Sequence, residues 1–111
     1  MENHNIFKES EYNQRQFHQM LLTLDDYEKS YTDLGSLIFR LEALLGYLEQ
    51  PESEWIGKFS HFVAILEEVY ASTLYHAEQT KTKPILDQNS INLINQAVVH
   101  LKTLIESVRR K

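Results

Sequence analysis

The residues best suited to chemistry in this chain are five histidines, His4, His18, His61, His76 and His100, together with sixteen carboxylates. A helical zinc site needs two histidines four apart on one face, and no pair here has that spacing. A di-iron bundle needs a glutamate three residues before a histidine, twice over. The residues three before His18, His61, His76 and His100 are Arg15, Lys58, Thr73 and Ala97, so that pattern is missing as well. Adjacent carboxylates occur at Asp25-Asp26 and Glu67-Glu68. Acid–base catalysis by such a pair needs burial to drive the two pKa values apart; on a helix or loop surface the same pair is solvated charge. Gly35, Gly46 and Gly57 form neither a phosphate-cradling loop nor a nucleophile elbow. The chain has no cysteine, which removes disulfides, thiol nucleophiles and thiolate metal sites. The expectation is a protein that is not an enzyme and has no cofactor and no metal site. A site assembled from distant helices is the one route left open.

The elements are clearer than the chemistry. Leu34, Leu37, Ile38, Leu41, Leu44, Leu45 and Leu48 recur at spacings of three and four, the signature of one apolar helix face. That helix is expected to begin at Ser30, with Asp33 three residues on in a capping-box-like arrangement, and to end near Gln50 before Pro51. A helix before it spans about Ile6 to Leu24, with a break between Glu9 and Asn13, and Asp25–Lys29 reads as a polar connection. A third runs from Glu54 to about Ala77, capped by Ser53 and buried through Trp55, Phe59, Phe62, Val63, Leu66, Val69, Tyr70 and Thr73. Glu78–Pro84 reads as the mobile loop, pinned at its far end by Ile85 and Leu86. A fourth helix, capped by Asp87 or Ser90, carries Ile91, Ile94, Val98, Leu101, Leu104, Ile105 and Val108 on one side. Arg109, Arg110 and Lys111 suit its C-terminal dipole. Short links force antiparallel neighbours. The predicted fold is all-α: an up-and-down bundle of three strong helices plus an N-terminal helix, one domain over residues 1–111.

Composition narrows the partners. The net charge of −5 disfavours nucleic acid, which needs a basic surface. The polar start Met1–Asn5 lacks a basic region followed by an apolar run, so no signal peptide is read there. No apolar stretch approaches the roughly eighteen residues that would suggest a membrane span. These readings, with the lack of cysteine, point to a soluble cytoplasmic protein without a membrane partner.

Two surfaces draw notice. With the leucine stripe facing the core, Phe39 lies about 160° away on the second helix, at about 100° per residue. Gly35, Ala43, Gly46 and Tyr47 share that side. The plainer reading makes this helix central, with Phe39 filling the core against the first helix. The sharper one makes it a partner surface, with a homodimer through Gly35, Phe39, Ala43 and Gly46 as one form. The third helix shows His61, Ala64, Glu68, Ala71, Ser72 and Tyr75 on its outer side, with Tyr75 as a candidate anchor. Charge is uneven. Residues 25–54 hold eight acids (Asp25, Asp26, Glu28, Asp33, Glu42, Glu49, Glu52, Glu54) against Lys29 and Arg40, a balance of −6. Residues 81–111 hold six bases against Asp87 and Glu106, a balance of +4. Such an acidic lobe would steer a basic protein.

The run Leu41-Glu42-Ala43-Leu44-Leu45, followed by Glu54-Trp55, Phe59 and Leu66-Glu67-Glu68-Val69-Tyr70-Ala71, resembles a group of small acidic all-helical bacterial proteins. The likeness covers about Leu34 to Leu104. In size, charge and fold the chain is similar to toxin-immunity proteins, including contact-dependent growth-inhibition immunity proteins. The resemblance implies a protein that binds and neutralises a cognate toxin domain, a basic nuclease in the reading favoured by charge. It carries over no binding residue. From the residues themselves, Asp25, Asp26, Glu28, Glu49, Glu52 and Glu54 would supply charge, with Tyr47 and Tyr75 as apolar anchors. The alternative is a structural or regulatory helical module that acts through self-association.

Overall fold

The computed structural model describes residues 6–110, so His4, Lys111 and the polar Met1–Asn5 start lie outside the described residues. Among the described residues there are five helices: α1 Ile6–Glu9, α2 Glu11–Glu28, α3 Leu34–Gly46, α4 Ser53–Thr80 and α5 Gln88–Glu106. No strand occurs among the described residues. Helices α2 to α5 pack in chain order, α5 closes back onto α2, and α1 lies on α2. The architecture is the expected all-α, up-and-down bundle, with the N-terminal segment as a full wall.

The core gathers the apolar faces read from the sequence. Phe17, Met20 and Leu24 of α2 meet Leu34, Leu37, Ile38 and Leu41 of α3. Trp55, Phe59, Val63, Leu66 and Val69 come from α4, and Ile94, Val98, Leu101 and Ile105 from α5. At one end the rings of Phe7, Phe17, Trp55 and Phe59 form an aromatic knot with centroids 5.1–5.7 Å apart. The Trp55 Nε1–H donates to the Leu104 carbonyl at 2.9 Å, so the one polar atom of this large ring is satisfied on α5.

Several boundaries differ from expectation, each for a local reason. The break in the first helix is at Ser10, whose Oγ accepts the Asn13 N–H at 3.1 Å and caps α2. Asp25–Glu28 is helical rather than a connection. Carboxylates suit a helix C-terminus poorly, but Lys102 of α5 lies against Asp25 at 3.0 Å and against Glu28. Ser30 ends α2 instead of starting α3. It takes a left-handed φ of 62°, while Ser30 N and Tyr31 N bond back to Tyr27 O and Asp26 O. That pairing is a Schellman closure. Asp33 is then the N-cap of α3, accepting from Ser36 N at 2.8 Å.

Helix α3 stops at Gly46 rather than near Gln50. Leu48 turns inward to the core, and Gln50 sits at φ 44° before Pro51, out of the right-handed region that proline disfavours in its predecessor. Glu52, not Ser53, is the N-cap residue of α4, with no side-chain cap bond. At its other end α4 absorbs Glu78–Thr80 and closes on Lys81 at φ 54°. Leu86 packs on the core as expected, but Ile85 is 78% exposed and pins nothing. Of the two cap candidates for α5 it is Asp87, accepting from Ser90 N at 2.8 Å.

Helix lengths set the outline. By residue count α3 is about 20 Å long and α4 about 42 Å. Tyr70 on α4 is already level with Gly35 at the start of α3, so the last turns of α4 run past it. Gly57 lies inside α4, is exposed, and a Cβ there would meet nothing within 4 Å. Gly57→Ala should therefore stabilise the fold by about 0.5–1 kcal/mol through helix propensity alone. Urea denaturation measures it; a destabilised variant would show that the position does not accept a methyl group.

Candidate partner-binding surface

Helix α3 is built like a buried helix but is covered on one side only. Over its 13 residues, LGSLIFRLEALLG, the charged positions are Arg40 and Glu42. Leu34, Leu37, Ile38 and Leu41 face the core. On the outer side Phe39 is 74% exposed. The reading that placed Phe39 in the core against the first helix is thus overturned: α2 packs beside α3 on its leucine flank and leaves the crest open. Burying a phenylalanine is worth about 1.5–3 kcal/mol, and this chain leaves that gain uncollected at Phe39. Tyr47, just past the end of α3, is 59% exposed, and Tyr31, just before its start, is 76% exposed.

The crest has relief. On the α2 side of Phe39 lies an open cleft of ≈ 310 Å³ bounded by Gln19, Thr23, Ala43 and Leu44. On the α4 side lies one of ≈ 450 Å³ bounded by Gly35, Ser36 and Tyr70. Gly35 and Gly46 part company here. A Cβ at Gly35 would stand 2.8 Å from the Tyr70 hydroxyl oxygen, so Gly35 serves a contact within the chain. A Cβ at Gly46 would meet nothing within 4 Å. Of the four residues expected to form a self-association face, Phe39, Ala43 and Gly46 remain open to a partner, with Ala43 partly covered.

The acids chosen from the sequence fall into two groups. Asp25, Asp26 and Glu28 lie at the C-terminal end of α2. Glu49 lies beside its start, where the Glu49 backbone bonds the Asn13 side chain. Twelve helical residues separate Asn13 from Asp25, about 18 Å. Most of these acids already have neighbours. Asp25 and Glu28 share Lys102, Arg40 stands 3.8 Å from Asp26, Lys58 is 3.4 Å from Glu54, and Glu49 accepts from Ser10 Oγ at 3.4 Å. Exposed pairs of this kind contribute at most about 1 kcal/mol each. They screen the lobe without cancelling it. Burial would lower the pKa of Lys102, but the Glu28 and Asp25 carboxylates outweigh it and hold that pKa above the ordinary lysine value. Tyr75 is 65% exposed but lies 21 residues along α4 from Glu54, about 31 Å by helical rise. It is not part of the same surface as Tyr47.

Comparison of the chain with known protein families, with curated proteins and with solved structures finds no match. Function has to be read from the geometry. Among the described residues no group of three or more His, Cys, Asp or Glu could hold a metal ion. The histidines near one another are used in ring stacking: His100 lies parallel to Phe62 at 4.7 Å, and His61 meets the same ring edge-on at 5.2 Å. Among the described residues no helix is long and apolar enough to cross a membrane.

Two features of the surface escaped the sequence reading. Tyr70, assigned to the buried face of its helix, instead stands partly exposed beside Phe39's cleft. Tyr31 carries no expected role in the sequence, because the segment around it reads as the start of a helix. Its signal in the sequence is faint: an aromatic residue in a short polar corner, between Ser30 and Asp33.

Proposed function

We propose that this chain is an immunity-type inhibitor, a non-enzymatic cytoplasmic protein that binds and neutralises a cognate basic toxin domain, a nuclease, through the outer face of α3. The observation that carries the reading is Phe39, a large apolar side chain standing in water at the centre of a helix apolar on both sides. Exposed apolar surface of this kind, flanked by clefts and ringed by polar groups, marks protein interaction sites. The stretch that frames it, residues 25–54, has a charge balance of −6. Arg40 lines both clefts beside Phe39, and the acidic excess lies beyond it, toward the two ends of α2. That excess complements the cationic surface that a nuclease presents to nucleic acid, and such complementarity speeds association. Inhibition then follows from covering that surface.

The test is to identify the adjacent reading frames and co-express this chain with any toxic domain that one of them encodes. The wild-type chain should restore growth and co-purify with that domain. Phe39→Glu should fold normally, because the residue is 74% exposed and is not among the residues of the core, and should weaken binding at least a hundredfold, as for an interface anchor. Full protection by Phe39→Glu would remove the α3 face from the mechanism, and failure of the wild-type chain to bind or protect would remove the immunity reading.

A second reading is self-association through Phe39, Ala43 and Gly46. It is favoured by the open approach at Gly46, where another helix could come close. Sedimentation separates the two. A wild-type dimer that Phe39→Glu converts to a folded monomer supports self-association; a wild-type monomer at all concentrations excludes it.

A further inference from the structure

The corner between α2 and α3 encloses an open cleft of ≈ 720 Å³. It exists because α2 closes at the left-handed Ser30 while α3 starts only after Asp33, and because α5 supplies a wall at Asn95 and Val98. Its chemistry is one-sided. The lining holds two phenol rings, Tyr27 and Tyr31, and two carboxylates: Glu28, already paired with Lys102, and Asp33, which has no ion pair with a Lys or Arg among the described residues that line the cleft. Tyr31 stands out into solvent, whereas Tyr27 is half-buried against the core. The Ser36 amide and hydroxyl hold the Asp33 pKa below the ordinary aspartate value.

We infer that this cleft receives an arginine side chain from the basic partner, stacked on Tyr31 and Tyr27 and directed at Asp33, with Glu28 held by Lys102. A guanidinium is planar, weakly hydrated and stacks on aromatic faces, while its N–H fork matches a carboxylate. An ammonium is a compact, strongly hydrated charge and uses the flat walls less well. The inference rests on the proposed reading in one respect, that the partner is a basic protein. It adds the kind of residue recognised and the place. The cleft shares Asp33 and Ser36 with the cleft beside Phe39, so the aromatic crest and the arginine site form one continuous surface.

The probe is a blocked peptide with three arginines separated by glycine and serine, titrated into the full ¹⁵N-labelled chain. Amide shifts should centre on residues 27–36 and 95–98. The lysine version should bind several-fold more weakly, and the glutamate version should give no shift. Tyr31→Ala should weaken arginine-peptide binding about threefold or more. Asp33→Asn should also weaken it with only a small fall in melting temperature near neutral pH, because asparagine keeps the cap bond and gives up only the charge. Shifts scattered over all acidic residues, equal for lysine and arginine, would overturn the assignment, as would wild-type binding by both variants. If the peptide fails but Phe39→Glu still abolishes protection against the toxin domain, the arginine site falls and the immunity reading stands. If the peptide binds as expected but no toxin domain is neutralised, the arginine site stands and the immunity reading falls.

Discussion

Asn13→Leu is expected to destabilise the protein by about 3 kcal/mol. Asn13 is fully buried near the start of α2 and spends its side chain on three backbone groups. Its Nδ2 donates to Phe7 O at 3.1 Å and to Glu49 O at 2.8 Å, and its Oδ1 accepts from Glu49 N at 2.9 Å. One amide thus ties α1, α2 and the α3–α4 link together. Leucine has a similar volume but would leave two carbonyls and one N–H without partners, each at about 1–3 kcal/mol when buried. Some of that returns through leucine's own burial and through water reaching the link. The sum is a large share of a stability that is typically about 5–15 kcal/mol. Urea unfolding followed by the fluorescence of Trp55, the sole tryptophan, measures it; a loss under about 0.5 kcal/mol would show that the bridge is not a fastening. Asn13→Asp sharpens the test. It places an oxygen where Nδ2 faced two carbonyls, which favours the protonated acid and raises the folded pKa above the unfolded one. The aspartate's own contribution to stability should then rise as pH falls through the folded pKa. The caps Asp33 and Asp87 work the other way, because their folded pKa values are depressed. Their contribution is present above the ordinary aspartate range and lost on acidification below it.

Phe7→Ala is expected to cost about 3 kcal/mol, at the low end for a buried phenylalanine. Helix α1 has only four residues and cannot persist by itself. It is held by the Phe7 ring, which is 1% exposed and packs against Phe17 at 5.3 Å and Trp55 at 5.1 Å. Removing the ring opens the aromatic knot, so the folded-state emission of Trp55 should move to longer wavelength as water enters. The double variant with Asn13→Leu should cost less than the two single losses added together, by about 1 kcal/mol, because both act on the docking of α1. Strict additivity, or a Phe7→Ala cost within about 0.5 kcal/mol of zero, would mean that α1 is not part of the cooperative unit.

Helix identity was legible wherever apolar residues recurred at three and four. That includes the break near Ser10 and the faces of α4 and α5. Boundaries were less so, because they are settled by partners far away in the chain. Asp25–Glu28 reads as a connection until Lys102 is brought alongside from 74 to 77 residues away. Asn13 reads only as one edge of the break between Glu9 and Asn13 until Glu49, 36 residues on, arrives to meet it. Phe39 shows the same limit for the site. A helix apolar on two sides is equally consistent with a central position and with an uncovered face, and periodicity does not say which side the neighbours take. The acids fared similarly. Their excess between residues 25 and 54 was visible, but their division between the two ends of α2 follows from the packing of the helices.

Taken alone, the order of side chains determined that this protein is a helical bundle with an apolar interior and an acidic middle stretch. Local physics suffices for that: spacing sets which residues share a face, and composition sets charge. Tertiary structure alone decided that Asn13 is a buried fastening, that Phe39 stands in water and that Tyr27, Tyr31, Glu28 and Asp33 line a common cleft. Those outcomes depend on which helix lies beside which, and on how far each outruns its neighbour. Both are properties of the assembled chain.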